Sequence, residues 1–543
     1  MNADRRVRIA LCLLAGILLG LSYPPSGFGI LAVIGFVPLF LLLSADEAFA
    51  DVFRHSYATF FIFNLITLYW PGGFVHLKDP YLMVSGGLLL LANPIFMTIP
   101  ILVWHFMRKT IGMKLSVAAF PVIWVAFEYA HSATQVAFPW LTLGYSMSYD
   151  LAAIQLSSVT GVYGVTFWIV SLNGMMFFLL SRAIVGNGPA GGRGLVPLAV
   201  LIVVIYAVPY AFGAMDDGTD EAVDGIPVSV SLVQPNIDPF EKWGGTAAGQ
   251  LGILKHVTDS MIARDRPDLV VWPETAVPYY ILAGEYTAEF HSLKHYVDRA
   301  GIPLLTGIPD LVAYPGASTP PAGAKRLDDG SPYETFNSSM LVLPGADTVQ
   351  KFAKTILVPF AERVPYSDIL GFLNAARWNF GLGGWSVGRD TALFRLPAAG
   401  GDTVRFGNLI CYETLFPGFV GGLVRRGAGF LTVVTNDSWW GNTSGPYQHR
   451  QFAVLRAVEN RRWIAQCANG GISFLVDPGG RVVDQTKMFT AGGLEGTLRA
   501  RTQLSFYTLH GDWFAEICLV LTIFLCMATG LHRIFRARME RQS

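Results

Sequence analysis

The sequence predicts an α-helical membrane bundle that carries a layered α/β domain. Long apolar runs fill the chain from residue 7 to about 212, and one more extends from about 514 to 531. The stretch between them alternates short β-rich runs with helix-length segments, which is typical of layered α/β domains. Charged residues make up only 14% of the 543, against roughly 25% in soluble domains. The predicted parts are an N-terminal membrane domain with seven transmembrane helices at 1–215, an α/β domain at 216–510, and a C-terminal transmembrane helix with a tail at 511–543.

Eight segments are long and apolar enough to cross a bilayer, which takes roughly 20 mostly apolar residues. The predicted spans are about 8–22, 28–44, 56–71, 82–107, 115–130, 153–181, 195–213 and 513–532. Arginines precede the first span, as in a signal peptide, but no small-residue cleavage pattern follows it. We therefore expect the first span to remain as an uncleaved anchor.

Lysine and arginine mark one side of this predicted bundle. They cluster before the first span, between the fourth and fifth, between the sixth and seventh, and after the eighth. The loops on the opposite side contain only Lys78. Because basic loops stay in the cytoplasm, we expect both termini there, and seven spans then place the α/β domain on the outer face.

The α/β domain divides into eight predicted strands and four predicted helices. The strands are 228–234, 269–272, 303–307, 338–343, 349–357, 403–410, 431–435 and 473–477. The helices are about 247–264, 285–300, 415–426 and 447–462. Two other stretches, 314–324 and 368–385, are predicted loops, and the second is long enough to suggest a function.

Three reactive side chains are each associated with a predicted strand. Cys411 comes where the strand 403–410 ends, and the carboxyl ends of strands are where open α/β sheets collect their chemistry. Glu274 ends another strand, and Lys354 lies in a β-rich run before Glu362. Taken singly, each has a plain structural interpretation: a small buried hydrophobe, a solvated strand-end charge, and an ion pair.

Together the three side chains supply what acyl transfer through a thioester requires. A thiol with a pKa of about 8.5 needs a base to become a good nucleophile, and Glu274 would be that base. A fixed ammonium, here Lys354, stabilises the oxyanion that forms when the Cys411 thiolate attacks a carbonyl. Ping-pong kinetics should follow from a thioester intermediate.

The motifs around these residues resemble those of the nitrilase, or carbon–nitrogen hydrolase, superfamily. They are Trp-Pro-Glu274, Lys354 followed by Leu-Val-Pro-Phe-x-Glu362, and Ile-Cys411-Tyr-Glu413. With membrane spans on both sides, the whole chain resembles the bacterial apolipoprotein N-acyltransferases. Further matching stretches are 234–237 with Trp243, 436–441, 445–449, 456–459 and 469–471. Ala361 and Trp440 stand where the family more often has glycine and phenylalanine, and neither is one of the three reactive groups.

The resemblance implies an αββα sandwich that faces the periplasm on eight spans in the bacterial inner membrane. It implies transfer of an acyl chain, usually from the sn-1 position of phosphatidylethanolamine, to the α-amine of the S-diacylglyceryl cysteine that begins an apolipoprotein. The implied catalytic residues are Glu274, Lys354 and Cys411. Supporting roles fall to Glu362, which would hold the lysine, to the backbone N–H near Tyr412, which would help to bind the oxyanion, and to Glu413, which would orient the reacting groups. Lys351 competes for the oxyanion role, but Lys354 has the family's spacing to Glu362.

Five further residues are predicted to contact substrate, namely Trp243, Asn436, Trp439, Tyr279 and Tyr280. The two tryptophans would line an acyl pocket. The two tyrosines lie in the apolar stretch 276–282, which, together with aromatic residues of 369–385, would anchor in lipid headgroups. Packing on the domain core is the alternative for all of these aromatic residues.

No cofactor or metal is predicted. The five cysteines show no CxxC or Cys/His spacing, and Cys467 is interpreted as a buried side chain. His449 begins a predicted helix and would cap it or pack. Basic and acidic residues both number 39, which is not the charge of a nucleic-acid binder. The expected partners are a phospholipid acyl donor, an S-diacylglyceryl apolipoprotein acceptor and membrane lipids, and the protein is expected to be a monomer.

Three other functions can be weighed against this one. A membrane-tethered amidase or nitrilase would hydrolyse a small C–N substrate with the same three groups, but it would need an open, polar pocket. A non-catalytic membrane scaffold should have lost at least one of the three. A transporter should show central charges or two repeated halves, and the spans show few such charges and no evident repeat.

Overall fold

The computed structural model describes residues 5–542 except 47, 186–194, 243, 265, 317, 318, 320, 322, 323, 367–383, 390 and 398–400. The chain divides into two compact units. The first, called the helical unit below, contains Met1–Gly72, Gly86–Asp217 and His510–Ser543. The second, called the α/β unit, contains Gly73–Ser85 and Gly218–Leu509.

The helical unit is built from apolar helices of very different lengths. In chain order they are Arg5–Leu21 (α1), Val37–Leu43 (α2), Phe49–Thr67 (α3), Pro80–Ser132 (α4), Leu151–Ile154 (α5), Ser157–Val185 (α6), Leu195–Met215 (α7) and a C-terminal helix, Trp513–Gln542. Gly112 in α4 and Gly161 in α6 have left-handed backbone, with φ of 79° and 65°, so each of these elements is two helices joined at a kink.

Four helices of the described chain are long and apolar enough to cross a membrane. They are Pro80–Ser132, Ser157–Ala183, Leu195–Val223 and Trp513–Glu540. The predicted spans 82–107 and 115–130 fall on the two halves of α4, on either side of Gly112. The predicted span 28–44 is divided between a 3₁₀ helix, Gly29–Val33, and α2, because Pro38 at the start of α2 begins a new helix.

Two sheets form the centre of the α/β unit. The first sheet contains Ile226–Gln234 (β1), Leu269–Val271 (β2), Leu304–Ala313 (β3), Lys325–Arg326 (β4), Pro332–Val342 (β5), Gln350–Ala353 (β6) and Gly492–Ala500 (β13). The second contains Phe394–Pro397 (β7), Thr403–Ile410 (β8), Phe430–Thr435 (β9), Ile464–Ala468 (β10), Phe474–Val476 (β11) and Val482–Gln485 (β12). Strands β1, β2 and β3 pair in parallel, as do β8, β9 and β10, so the central strands of each sheet end at one edge.

Helices flank the two sheets. They are Thr219–Val223 (α8), Ala247–Ile262 (α9), Thr287–Ala300 (α10), Pro417–Arg425 (α11), Ser444–Asn460 (α12) and Phe506–His510 (α13). Apolar side chains of α9 and α10 pack on β1, β2 and β3, while α11 and α12 pack on β8 and β10. Between the sheets lies a core that includes Val230, Val271, Ile410 and Val434. The α/β unit is therefore a four-layer α–β–β–α sandwich, as the resemblance implied.

Each predicted strand overlaps an observed one, but several observed strands were not predicted. The run predicted at 349–357 leaves the sheet early, because β6 ends at Ala353. The strands that sequence reasoning missed are β4, β7, β10, β12 and β13. Of these, β13 contains three glycines in nine residues, a composition with low β propensity. It nevertheless pairs antiparallel along the whole of β1, so backbone pairing rather than side-chain preference forms this strand.

Candidate active site

Cys411 lies at the carboxyl end of β8, in the middle of a sharp turn. Its φ of 51° is left-handed, which is unusual for a residue with a side chain and is a form of strain that clusters at functional sites. The next four residues continue as a 3₁₀ helix, Cys411–Leu415. Burial, and then the nearby Glu274 carboxylate, raise the pKa of the thiol well above its usual range, while Lys354 opposes this shift. The thiol therefore needs a base before it can act as a nucleophile.

Glu274 follows β2 through Trp272 and Pro273, and its carboxylate is almost fully buried. One oxygen, Oε1, accepts a hydrogen bond of 2.8 Å from Asn337 Nδ2. The other, Oε2, accepts one of 3.1 Å from the backbone N–H of Asn436. Both contacts orient the carboxylate, so Glu274 is a fixed group rather than a solvated strand-end charge.

Lys354 comes directly after β6 and has a side chain that is 1% exposed. Its Nζ donates to Glu362 Oε1 at 2.9 Å and lies 3.6 Å from Glu274 Oε1. Burial opposes the charge of the lysine, but the two glutamates outweigh burial and raise the pKa of Lys354 above its usual range. The ammonium is therefore permanent. Lys351, the alternative on sequence grounds, instead pairs with Asp310 at 2.7 Å.

Glu362 is held in turn by the backbone and by an amide. Its Oε2 accepts from the N–H of Val358 at 2.8 Å, and its Oε1 accepts from Asn337 Nδ2 at 3.2 Å as well as from the lysine. Asn337, on β5, thus donates to both glutamates at once. Sequence reasoning missed this residue, although the polar run Asn337-Ser338-Ser339 inside an apolar strand was an available signal.

Glu413 binds backbone on both sides of the site. Its Oε1 accepts from the N–H and the hydroxyl of Thr355, at 2.7 and 2.9 Å, and its Oε2 accepts from the N–H of Ile410 at 2.9 Å. It therefore ties the turn of Cys411 to the segment that follows Lys354. Burial raises the pKa of Glu413 to about 7, against the opposing effect of these donors. These contacts fit the orienting role predicted for it.

Lys242 is a second residue that sequence reasoning missed. Its buried ammonium donates to the backbone carbonyl of Glu274 at 3.1 Å and to the Thr275 hydroxyl at 2.9 Å. Thr275 has a left-handed φ of 45°, so the amine supports a strained turn just after the carboxylate. Burial lowers the pKa of Lys242 to about 7. The signal in the sequence was its position next to Trp243.

His449 contacts the backbone of the nucleophile rather than capping a helix. Its Nε2 lies 3.2 Å from the carbonyl oxygen of Cys411 and 2.9 Å from the Thr414 hydroxyl, and its Nδ1 lies 3.0 Å from Asp437 Oδ1. Both His449 and Asp437 are fully buried. By contrast, Cys467 on β10 is buried as predicted, with its thiol against the carbonyls of Val233 and Val271.

The residues predicted to contact substrate have mixed surroundings. Asn436 binds Glu274 through its backbone, and its side-chain oxygen accepts from Asn469 at 3.1 Å. The Trp439 ring packs edge-on against Phe240 at 5.1 Å. The Tyr279 hydroxyl donates to the carbonyl of Ala247. This contact agrees with packing on the domain core, which is the alternative to substrate contact for this residue.

Three other predicted residues and the second predicted anchor remain to be placed. Tyr280 is half-buried. The Tyr412 side chain is buried against Phe416, with ring centroids 5.3 Å apart. Trp243 and residues 369–383 of the second predicted anchor lie outside the described residues. At the end of that anchor, the N–H of Trp385 donates to the carbonyl of Glu362 at 3.0 Å. Among the described residues, no group of three or more His, Cys, Asp or Glu side chains is placed to hold a metal ion.

Comparisons with known proteins cover almost the whole chain. The family described as "Apolipoprotein N-acyltransferase N-terminal domain" matches residues 15–175, and the family "Carbon-nitrogen hydrolase" matches residues 229–506. An apolipoprotein N-acyltransferase of Chlorobaculum tepidum is 35% identical over 529 residues, covering 96% of each chain. One of Geobacter metallireducens is 32% identical over 512 residues, covering 94% of this chain and 92% of the relative. Among solved structures, the nitrilase-superfamily protein Nit3 of Saccharomyces cerevisiae matches with a TM-score of 0.36 at 18% identity, covering 50% of this chain and 90% of that chain.

The two family matches divide the chain into the same two kinds of sequence that its composition separates, apolar first and α/β second. The relatives match both regions in one continuous alignment at 30% identity or more. This chain therefore belongs to the apolipoprotein N-acyltransferase family and is an acyltransferase that contains a carbon–nitrogen hydrolase domain.

Proposed function

We propose that the enzyme moves a fatty acyl chain from the sn-1 position of phosphatidylethanolamine to the α-amine of the N-terminal S-diacylglyceryl cysteine of apolipoproteins. The observation that carries this proposal is the buried pairing of Glu274 with Lys354, 3.6 Å apart, near enough to Cys411 for both charges to shift the pKa of its thiol. A base, a permanent cation and a nucleophile in one buried network are what thioester chemistry requires.

In the first half-reaction, Glu274 takes the proton of the Cys411 thiol and the thiolate attacks the carbonyl carbon of the lipid ester. Lys354 and the backbone N–H near Tyr412 stabilise the oxyanion of the tetrahedral intermediate. The C–O bond of the ester then breaks, and the proton on Glu274 passes to the leaving oxygen. Lysophospholipid departs and the acyl chain remains on Cys411 as a thioester.

In the second half-reaction, the free α-amine of the acceptor attacks the thioester carbonyl. Glu274 accepts the proton that the amine loses, and Lys354 again stabilises the oxyanion. The C–S bond breaks, an amide forms, and the proton returns from Glu274 to the Cys411 sulfur. Each substrate meets the same groups in turn, which is the basis for ping-pong kinetics.

The supporting residues would act by holding these three groups in place. Glu362 anchors the ammonium of Lys354, and Glu413 joins the turn of Cys411 to the chain after the lysine. Trp439, Tyr280, Trp243 and Asn436 remain candidates for substrate contact. Asn436 would act through the loop that it begins.

We also propose that eight helices cross the bacterial inner membrane, with both termini in the cytoplasm and the α/β domain, 216–510, in the periplasm. Four apolar helices support the insertion, and the distribution of lysine and arginine supports the orientation. Large exposed apolar side chains on α7 support lipid contact, because a soluble surface rarely exposes so many together. They are Val196, Val200, Leu201, Val203, Val204 and Val208. On this proposal the membrane domain is 1–215, the final span and tail are 511–543, and the enzyme works as a monomer on membrane lipids, with no nucleic-acid partner.

The intact mass of the purified enzyme tests this function directly. After incubation with phosphatidylethanolamine and no acceptor, we expect an added acyl mass that hydroxylamine removes and that Cys411→Ala lacks. A diacylglyceryl-cysteine peptide should then discharge the thioester. Cys526→Ala, a half-buried cysteine in the C-terminal helix, is the matched control and should acylate normally.

Two outcomes would count against the proposal. An unmodified protein with no lysolipid released would rule out the phospholipid donor. Free fatty acid that accumulates without an acceptor would indicate a hydrolase and favour the membrane-tethered amidase. The whole-length relatives named N-acyltransferases make that alternative the less supported of the two.

A further inference from the structure

His449 lies on α12, has no exposed surface, and contacts the Cys411 carbonyl. The acyl-transfer steps above do not use it. Its ring is enclosed by Trp440 and Phe452, whose ring centroids lie 5.8 and 6.4 Å away. A fully buried titratable group so close to the reacting residue calls for a role.

The partners of the ring determine its protonation state. Nδ1 faces the Asp437 carboxylate at 3.0 Å, and Nε2 faces the Cys411 carbonyl at 3.2 Å. Both of these partners are acceptors, which favours a proton on each ring nitrogen. With the Thr414 hydroxyl donating to the same carbonyl at 2.5 Å, its oxygen, 2.9 Å from Nε2, is free to accept from the ring. This arrangement favours an imidazolium paired with Asp437.

The charges around the ring agree with this assignment. Burial favours neutral histidine, but the attraction of Asp437, with a smaller contribution from Glu274, outweighs burial and raises the pKa of His449 above its ordinary value. Among the described residues, these two carboxylates lie on the loop after β9 and the loop after β2, and the Cys411 thiol lies at the end of β8. Lys354 lowers the pKa of that thiol.

A chain of contacts returns from the imidazolium to the thiol. Asp437 Oδ1 accepts from the Thr435 hydroxyl at 2.6 Å, and Thr435 lies near enough to the Cys411 sulfur to lower the pKa of its thiol, against the opposing effect of Asp437. The carbonyl of Cys411 is thus held by His449 and Thr414, with Thr435 beside its sulfur. The left-handed φ of 51° at this residue is a strained backbone state that persists only when surrounding contacts hold it.

We propose that His449 is a positioning residue for the nucleophile: as an imidazolium paired with Asp437, it holds the Cys411 carbonyl and so keeps the strained turn in the conformation that presents the thiol. This inference rests on the proposed function of Cys411. It adds a buried charge pair at the backbone of the nucleophile to the base and the cation that act on its thiol.

Single-turnover acylation of Cys411 by phosphatidylethanolamine, followed by intact mass in rapidly quenched samples, tests the proposal. His449→Gln keeps an amide N–H for the carbonyl but loses the charge and the ring geometry. We expect the maximal acylation rate to fall about 100-fold, the effect of misplacing a reacting group by an ångström. The donor concentration at half-saturation should stay unchanged. His256→Gln, on the exposed side of α9, should acylate at the wild-type rate.

The pH profile separates a positioning charge from mere packing. In the wild type, the acylation rate should fall as the pH rises through the raised pKa of His449, because the imidazolium loses the proton that binds the carbonyl. Asp437→Asn should move this alkaline fall to lower pH by about one unit or more, since an opposite charge in contact shifts a pKa by that amount. His449→Gln should remove it.

The proposal is overturned if His449→Gln acylates at the wild-type rate, or if Asp437→Asn leaves the alkaline fall in place. If His449→Gln does not accumulate as folded protein, the double variant His449→Gln/Asp437→Asn removes both buried charges together, and a wild-type rate there also overturns it. If the wild type itself forms no thioester, the proposed function fails instead, so the two failures are distinguishable.

Discussion

The two sheets of the α/β unit contribute different kinds of group to the site. The first sheet supplies charge: Glu274 after β2 and Lys354 after β6 lie 3.6 Å apart, with Asn337 of β5 bound to the glutamate. The second sheet supplies the proposed nucleophile, Cys411, on a strained turn whose carbonyl contacts His449. Side-chain hydrogen bonds between charged and polar groups hold much of the first side, and the turn of Cys411 is held through its backbone carbonyl.

Buried hydrogen bonds connect the two sides. The N–H of Asn436, on the second sheet's side, donates to Glu274, and Glu413 accepts from Thr355 on the first sheet's side. Deeper between the sheets, Asn408 donates to the Ser339 hydroxyl at 3.0 Å. Each half is held by its own hydrogen bonds, and buried polar contacts such as these help the apolar core to set the register of the two sheets. Variants of each kind should therefore have separable effects.

Removing the base from the first sheet should have the largest effect. Glu274→Gln keeps the size and one acceptor of the side chain but cannot take the thiol proton. We expect single-turnover acylation to slow by about 100- to 10,000-fold, the usual contribution of general base catalysis. Glu285→Gln, exposed near the start of α10, should leave the rate unchanged. A rate within a few-fold of wild type would mean that another group deprotonates Cys411.

Changing the amide that bridges the two glutamates should have an intermediate effect. In Asn337→Asp the donor to Glu274 and Glu362 is lost, and a third negative charge enters the network. Hydrogen bonds to charged groups contribute about 1.5–3 kcal/mol, so we expect acylation to slow by about 10- to 100-fold. The exposed Asn442→Asp is the control. If Asn337→Asp matches the wild type at neutral pH, the lysine alone suffices to hold the two carboxylates.

The sequence pointed to the side chains that the structure brings together more readily than to the residues that hold them. Glu274 and Cys411 each end an apolar, β-rich run, and such runs can be read without a structure. Asn337 could not be identified in that way, because which face of β5 meets the site depends on its pairing with β3 and β6. His449 approaches Cys411 from α12, more than thirty residues further along the chain, and a long-range contact of this kind leaves no local pattern.

The fold shows the same division between local and long-range information. The helices α9 and α12 were predicted within a few residues, because their apolar periodicity and caps are local. The strand β13 was missed because its glycine-rich sequence becomes a strand only by pairing with β1, more than 250 residues earlier. The predicted span 28–44 is divided at Pro38, and this proline is itself a local signal for the start of a new helix. A search for long apolar runs alone does not detect it.

Weakening the bond between the two sides should have the smallest effect on rate and a clear effect on stability. In Glu413→Gln, one of the carboxylate's oxygens becomes an NH₂ group that faces a backbone N–H of Thr355 or Ile410. An unsatisfied buried donor costs about 1–3 kcal/mol, so we expect the free energy of unfolding to fall by that amount. The acylation rate should fall only several-fold, because the base and the cation are untouched.

The pH dependence of this loss has a definite sign. Burial raises the pKa of Glu413 from 4.5 to about 7 in the folded protein. A carboxyl group with a raised pKa favours the folded state fully only below its unfolded pKa, and it loses that contribution as the pH rises to about 7. Glutamine does not titrate, so the stability advantage of the wild type over Glu413→Gln should be greatest near pH 4.5 and should shrink towards pH 8. Melting temperatures of both proteins across that range measure the difference. A gap that instead widens with pH would show that the donors of Thr355 and Ile410 outweigh burial, and that Glu413 joins the two sheets as a stable carboxylate.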